Sequence, residues 1–301
     1  MEEAFPILRE TKRGSPLAKE LSSFLGFDAR PPCHLPTLAS KYNQGTIGTA
    51  VDYRLRYYFD AYSSPDTVAA NGVYMAGSKA GKIASRFFDY HDNLVARLNP
   101  VARQLGDDDE TALNTGCVVL AWFEQIYRTG RIFPPLDVLL EKENVEDLLT
   151  AVPPEVVQDI GQLSAAFASD AKHLFKPNPI LNPTFSGSLD IGGADADIIV
   201  DKILIEFKCT SKIDVSKLRA AALQLLGYVL LDYDGKYTIS DLMVYLPRQR
   251  ASWRVPLWHL VLPPAEVILA TARGNTEGSE TLLGKRLRKL RREFRSVAKS
   301  L

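Results

Sequence analysis

The stretch from Asp197 to Lys208 constrains the fold of this chain more than any other segment. It consists of two short runs of β-favouring residues that meet at Asp201-Lys202. If that dipeptide is a two-residue hairpin turn, Asp197 lies directly opposite Glu206 on the neighbouring strand, and Asp195 lies opposite Lys208. Asp-Lys is not a pair typical of such turns, and a one-residue slip would exchange the two faces of the hairpin.

The two faces of this hairpin differ in character, because side chains alternate along a strand. One face is wholly apolar and contains Ala196, Ile198, Val200, Ile203, Ile205 and Phe207. The other face carries Asp195, Asp197, Glu206 and Lys208, with Ile199 and Leu204 as its apolar members. The flanking sequence is strongly apolar, which predicts that the hairpin is central in a sheet.

Opposed carboxylates of this kind suit a divalent cation. Directly opposed Cβ atoms are roughly 4.5–5.5 Å apart, so the two charges repel unless a shared cation uses their oxygens as ligands. Lys208 projects on the same side as Glu206 and could neutralise a phosphate or hold an attacking water. Metal-assisted phosphodiester cleavage requires these components. The alternative is a strand face that is simply charged and solvated, although buried charges without a partner are rare.

The pattern resembles the PD-(D/E)xK nuclease superfamily, and within it the RecB-type and lambda-exonuclease-like branch. Asp197 matches the acidic strand position, and Glu206-Phe-Lys208 matches the (D/E)-x-K motif. The Gly192-Gly193 pair precedes the acidic strand, as in the family. The resemblance implies an α/β (α+β) fold with a restriction-endonuclease-like core, in which helices flank a mixed β-sheet. The periodicity of the sequence adds a large helical N-terminal half.

A second motif of that branch follows downstream. Gln224 and Tyr228 match a Q-x-x-x-Y helix, and residues four apart share one face of a helix. The resemblance implies that Gln224 reaches the metal-bound water or a phosphate, and that Tyr228 contacts the nucleic-acid backbone.

The resemblance also implies a metal site for Mg²⁺ or Mn²⁺. Asp197 and Glu206 would be the ligands, joined by the backbone carbonyl of Phe207, and Lys208 would orient the water or stabilise the pentacovalent transition state. Asp195 is a second acidic candidate, but Asp197 is preferred because it precedes Ile-Ile-Val and faces Glu206.

The upstream motifs are less regular. Family members often carry Gly-Thr-x-x-His at a helix start, and here Asp52 stands where the histidine is expected after Gly48-Thr49. Some relatives supply a metal-binding glutamate from a helix, and Glu124 is the candidate for that position. A surface glutamate on an amphipathic helix is an equally good interpretation of Glu124.

Periodicity and proline positions predict the order of the elements. Helices are expected at 15–24, 46–62, 77–98, 108–127, 137–151, 154–174 and 215–232, and strands at 184–189, 194–208, 242–246 and 253–260. Three prolines within 176–183 exclude a helix there. We therefore expect residues 1–175 to be mostly helical and to wrap the core, and residues 176–275 to form the nuclease core, with no clean break between them.

The C-terminal segment 276–301 is predicted to be a basic amphipathic helix. Its apolar residues, spaced alternately four and three apart, are Leu283, Leu287, Leu290, Phe294, Val297 and Leu301. Eight lysines and arginines surround this seam between 285 and 299, against the single acid Glu293. The helix could pack on the body with a solvated basic side, contact a phosphate backbone, or do both. A membrane-surface helix is a weaker third interpretation.

Composition narrows the remaining possibilities. The 36 basic and 36 acidic residues balance, so any nucleic-acid footprint must be local. The three cysteines are widely spaced and form no zinc pattern, which favours a reduced intracellular chain. The chain has no run of 18 apolar residues, and its acidic start is not a signal peptide, so we expect a soluble cytoplasmic protein without a membrane partner.

The resemblance therefore implies a Mg²⁺-dependent deoxyribonuclease. Its substrate could be cut internally or from an end, in recombination, repair, phage replication or defence, and a protein partner or homo-oligomer is compatible with the motifs. Two alternatives stay open, which are an inactive nucleic-acid-binding module of the same fold and an interaction subunit that is active only with a partner.

Overall fold

The computed structural model describes residues 32–142, 144–262 and 276–299. Contacts within the chain define two compact units. The helical unit comprises His34–Pro177 with Cys209–Ser211, and the sheet unit contains Asn178–Lys208 and the chain from Lys212 onward. The division falls after Pro177, inside the proline-rich span, and the expectation of no clean break stays a prediction. The expected wrapping of the core by residues 1–175 concerns the arrangement of the two units and stays a prediction.

Seven helices form the described part of the helical unit. They are α1 (Gln44–Arg56), α2 (Val68–Ala76), α3 (Ser78–Leu98), α4 (Asp107–Thr129), α5 (Leu136–Leu139), α6 (Val145–Thr150) and α7 (Pro154–Asp170). Helix α4 is central and packs against α1, α2 and α7. Four acidic residues in its first turn face the positive end of the helix dipole, and Gly130, at φ 67°, ends it.

The helix boundaries differ from the prediction in several places, among them the end of α7 at Asp170, four residues early. Helix α1 ends at Arg56, six residues early, because the chain folds back and stacks Tyr57 on Tyr62 with ring centroids 4.2 Å apart. The predicted helix 137–151 is divided in two, and Asn144 caps the second part by accepting a hydrogen bond from the Glu146 amide. Helix α2 was not predicted, and the predicted helix 15–24 lies outside the described residues.

The sheet unit contains a mixed five-stranded sheet with strands in the order β1-β2-β3-β4-β5. The strands are β1 (Ile180–Leu181), β2 (Ile198–Val200), β3 (Ile203–Phe207), β4 (Asp241–Leu246) and β5 (Ala251–Pro256). Only the pairing of β3 with β4 is parallel among these strands, and helix α8 (Val215–Leu231) makes the crossover that a parallel pair needs. The expected mixed α/β class and the central position of the hairpin are confirmed.

The register of the hairpin is also the predicted one. Ile198 pairs with Ile205 and Val200 pairs with Ile203, so the turn is Asp201-Lys202. Both turn residues have positive φ, 48° and 65°, as a tight primed turn requires, although neither is typical there. All eight residues of β2 and β3 are buried, so a one-residue slip would change the partners of every one of them.

Two strand predictions were wrong in extent. Within 184–189, only Thr184 makes a bridge, to Asp195, and the edge strand is Ile180–Leu181 instead. The side chain of Ser188 closes a turn here, since its hydroxyl accepts from the Phe185 amide and donates to the Ala194 carbonyl. The last strand stops at Pro256, and the short helix α9 (Leu257–Val261) follows directly.

The C-terminal helix α10 (Thr276–Ala298) packs in the sheet unit through its apolar seam. Leu287 and Leu290 are buried in the core around α8, and Leu283 and Phe294 pack partly buried against it. Val297 is exposed, and Leu301 lies outside the described residues. The packing interpretation is therefore confirmed for the first four seam residues. In the part of the chain that the structure describes, no helix is long and apolar enough to span a bilayer.

Candidate active site

Glu206 lies on the central strand β3 and is only 4 % exposed. Its Oε1 accepts a hydrogen bond from Lys208 Nζ at 2.6 Å. Within the described residues, its Oε2 is buried and has no hydrogen-bond partner. An unsatisfied buried acceptor costs about 1–3 kcal/mol, and more when it is charged. A side chain that a fold keeps at such a cost is a candidate for function.

The pKa of Glu206 reflects this burial. Loss of hydration, followed by the nearby charge of Asp197, raises the pKa of Glu206 to about 8, although Lys208 and Gln224 act in the opposite direction. The carboxyl group is therefore mainly protonated at neutral pH when no cation lies beside it. A divalent cation would favour the ionised form and lower that pKa.

Asp197 directly precedes strand β2. Continuing the hairpin register by one residue places it opposite Glu206, as the sequence predicted. One carboxylate oxygen accepts a hydrogen bond from the backbone N–H of Phe207 at 2.6 Å. This bond fixes the acid at the end of the ladder, beside the strand that carries Glu206.

Lys208 links the strand to helix α8. Its Nζ donates to Gln224 Oε1 at 3.0 Å as well as to Glu206, and Gln224 Nε2 donates to the Tyr228 hydroxyl at 2.7 Å. Gln224 and Tyr228 lie one turn apart on α8 and face the same way. The structure thus joins Glu206, Lys208, Gln224 and Tyr228 in one chain of hydrogen bonds.

Tyr228 is held by a residue that lies outside the sequence motifs. Its ring stacks on Phe185, with centroids 5.4 Å apart and an interplanar angle of 12°. Burial first, and then the charges of Glu206, Asp197 and Asp195, raise the pKa of the Tyr228 hydroxyl, so it stays protonated. No local pattern could have indicated Phe185, because it is 43 residues away in the chain.

The carboxylate oxygens of Asp197 and Glu206 suit a hard cation that needs few protein ligands. Among the described residues, no group of three or more His, Cys, Asp or Glu is arranged to hold a metal ion. Mg²⁺, however, is usually bound by one or two carboxylates, with waters and substrate phosphates completing its shell. Asp197 and Glu206, with the unpartnered Oε2, fit that requirement, and an all-oxygen set favours Mg²⁺ or Mn²⁺ over zinc.

Glu124 and Asp52 belong to the helical unit and have partners there. Glu124 is buried in α4, where it accepts hydrogen bonds from the Tyr53 hydroxyl at 2.6 Å and from Arg128 Nε at 3.1 Å. It therefore links α1 to α4 and is not a surface residue. Asp52 forms an ion pair with Arg56, one turn further along α1.

Replacing Glu206 with glutamine should remove a pH-dependent loss of stability. Between the ordinary pKa of a glutamate, about 4.3, and the folded-state value of about 8, the folded protein holds one more proton than the unfolded chain. The stability of the wild type therefore falls as pH rises through this window. We expect Glu206→Gln to be more stable than the wild type at pH 8.5, by on the order of a few kcal/mol, and nearly equal at pH 4.5.

Urea unfolding in the presence of EDTA, at pH 4.5, 6.5 and 8.5, measures this difference. Groups that do not interact with Glu206 contribute the same pH dependence to both proteins, so their contribution cancels in the comparison. A constant difference at the three pH values would show that the carboxyl group titrates normally.

Comparisons with known proteins gave no match to a family model, and no significant match to a curated protein or to a solved structure. A functional assignment therefore depends on the motif residues and on the geometry that joins them.

Proposed function

We propose that this chain is a metal-dependent nuclease that hydrolyses DNA phosphodiester bonds, with a PD-(D/E)xK core of the restriction-endonuclease type. One observation carries the proposal. At the end of a central strand, the Lys208 ammonium bridges Glu206 and Gln224 beside a buried carboxylate oxygen that has no partner among the described residues. The element order supports it, because the hairpin, the α8 crossover and the parallel strand β4 follow in the expected sequence.

Asp197 and Glu206 would hold the cation, with the Phe207 carbonyl and Asp195 as further oxygen donors. When bound, Mg²⁺ or Mn²⁺ lowers the pKa of a coordinated water and neutralises charge on the scissile phosphate. The hydrogen bond from the Phe207 amide keeps Asp197 oriented before substrate arrives. Glu124 is not needed for this set, since Tyr53 and Arg128 bind its oxygens.

Lys208 would place a positive charge beside the scissile phosphate, which becomes more negative in the transition state. Its side chain is 33 % exposed, whereas Glu206 is buried, so substrate can approach the ammonium group. Gln224 Oε1 accepts a hydrogen bond from Lys208 Nζ and thereby positions the ammonium group between helix and strand. Charge placed in advance near a developing negative charge stabilises a transition state without reorganisation.

Tyr228 would contact a phosphate oxygen. Its hydroxyl oxygen accepts from Gln224 Nε2, so its own proton can be donated elsewhere. The raised pKa keeps that proton in place. The tyrosine thus acts as a neutral donor beside the carboxylates.

Digestion of linear and closed circular DNA with Mg²⁺ tests the proposal. We expect the wild type to cut at least one of these substrates, EDTA to stop cleavage, and Glu206→Gln to lose activity by on the order of 10²-fold or more. Cleavage of linear DNA alone would identify an exonuclease. The absence of any cleavage with Mg²⁺ or Mn²⁺, together with no Mn²⁺ uptake in calorimetry, would contradict the proposal and favour an inactive binding module.

A further inference from the structure

A basic groove of about 650 Å³ lies in the sheet unit between α10 and the loop that follows α8. Tyr233 and six cations of α10 line it, namely Lys285, Arg288, Lys289, Arg291, Arg292 and Arg295. The apolar side of the same helix is buried, so the cations are the side that it turns to solvent. The candidate active site does not use this groove.

Most of this positive charge has no acidic partner in the part of the chain that the structure describes. Arg291 forms an ion pair with the buried Asp232 at 3.2 Å, and Lys289 lies 3.8 Å from the exposed Glu293. Within the described residues, Lys285, Arg288, Arg292 and Arg295 form no ion pair. Four such charges around one concave surface attract anions and concentrate them there.

The wall of the groove is fixed by contacts, which distinguishes it from a solvated run of charge. Arg291 Nε donates to the Val229 carbonyl at 3.1 Å, and the Arg295 guanidinium lies 5.0 Å from the centroid of the Tyr233 ring. The Tyr233 hydroxyl donates to Asp190 at 3.2 Å. The ring packs on Gly187, where a Cβ would lie 2.5 Å from Tyr233 Cζ. Tyr233, Arg291 and Arg295 are thus held in one arrangement.

The chemistry of the groove fits nucleic acid better than a membrane surface. A helix that binds a bilayer inserts an apolar face, but Leu287 and Leu290 are buried in the protein core. Cations that line a groove beside an aromatic ring are typical of sites that bind a nucleic-acid strand, in which arginine and tyrosine contact phosphates and bases.

The position of the groove relates it to the candidate active site within the same unit. Helix α8 carries Gln224 and Tyr228, and Asp232 is its C-cap. At 1.5 Å per residue, Gln224 and Asp232 are about 12 Å apart along the helix axis. Phosphates of one DNA strand advance about 3.4 Å each along the duplex, so this length corresponds to about three to four phosphates.

We propose that this groove binds the phosphate backbone of a nucleic-acid strand about three to four nucleotides from the phosphate at the candidate active site. Binding of a nucleic-acid strand in the groove does not depend on catalysis. The stated spacing between the groove and the scissile phosphate rests on the proposed nuclease function.

The test compares two triple variants of the full chain that lose equal charge. Arg288→Gln, Arg292→Gln and Arg295→Gln remove cations of the groove. Arg103→Gln, Arg131→Gln and Lys41→Gln remove exposed cations of the helical unit that do not line it. Binding of a fluorescent 20-nucleotide DNA is measured by anisotropy in EDTA, so that no cleavage occurs. Thermal unfolding confirms that both variants are folded.

We expect the groove variant to bind on the order of tenfold to a hundredfold more weakly, with the slope of log affinity against log salt reduced by about 2–3. The control variant should match the wild type. Equal losses in the two variants, or an unchanged affinity of the groove variant, would overturn the proposal. Loss of binding to phosphatidylserine vesicles with DNA binding intact would overturn it in favour of a lipid surface.

Oligonucleotide length tests the position of the groove. The wild type should gain affinity when the DNA is lengthened from three to eight nucleotides, and the groove variant should not. The same gain in both proteins would overturn the stated spacing.

The groove proposal and the nuclease proposal can fail separately. If the groove variant binds DNA more weakly but the wild type cleaves nothing, groove binding is supported and the nuclease proposal alone fails. If cleavage occurs and the groove variant binds normally, the groove proposal alone fails.

Discussion

Lys208→Ala should abolish DNA cleavage, lowering the rate by on the order of 10²–10³-fold, while the protein stays folded and still binds DNA. The ammonium group lies 2.6 Å from Glu206 and 3.0 Å from Gln224, so no other described side chain replaces its charge at that point. Single-turnover digestion with Mg²⁺ at saturating enzyme measures the chemical step apart from binding.

The variant should fold because Glu206 can become neutral. The charge of Lys208 lowers the pKa of Glu206, and its removal allows burial to raise that pKa further. A protonated carboxyl group avoids the cost of an unpaired buried charge. DNA affinity should change little, since the groove on α10 supplies most of the cationic contacts in our proposal.

A matched control is Lys41→Ala, which removes an exposed lysine of the helical unit. It should cleave like the wild type. Full activity in Lys208→Ala would rule out the role assigned to this lysine, and loss of folding would be visible by circular dichroism.

Gly72→Ala should have the largest effect on stability, a loss of about 3 kcal/mol or more in the free energy of unfolding. A Cβ at this position of α2 would lie 1.8 Å from the carbonyl oxygen of Phe123 in α4. Because the obstacle is backbone, no side-chain rotation can relieve the clash, and the two helices must separate. The cost includes the contacts that α2 makes with α4 across this close approach.

Gly81→Ala and Gly48→Ala are the controls, because both glycines lie within helices and a Cβ there would meet nothing within 4 Å. Alanine restricts the unfolded chain more than glycine, so each should stabilise the protein by about 0.5–1 kcal/mol. Urea unfolding followed by circular dichroism compares the three variants. If Gly72→Ala were as stable as Gly81→Ala, the close contact between α2 and α4 would not exist in solution.

The sequence predicted the hairpin well because neighbouring residues alone determine its two faces and its turn. Alternation placed Asp197 and Glu206 on one face, and the register followed from the position of the turn. The i,i+4 spacing of Gln224 and Tyr228 similarly placed both on one face of α8.

Other predictions were wrong because distant residues decide the outcome. The run 184–189 has strand-like composition, yet the Ser188 side chain closes a turn with Phe185 and Ala194. The interpretation of Glu124 as a surface residue was wrong because Tyr53, 71 positions earlier, covers it. The identity of these neighbours is not encoded in a local pattern.

The sequence by itself determined the central hairpin, the order of the elements in the sheet unit and the residues that share a face, because strand and helix periodicities fix the directions of side chains. The tertiary structure decided which carboxylate oxygen is buried without a partner among the described residues, which ring supports Tyr228, and where the cations of α10 form a groove. These properties arise because segments that are distant in the chain pack against each other and remove water from between them. The pKa values and ion pairs of the protein depend on that loss of water.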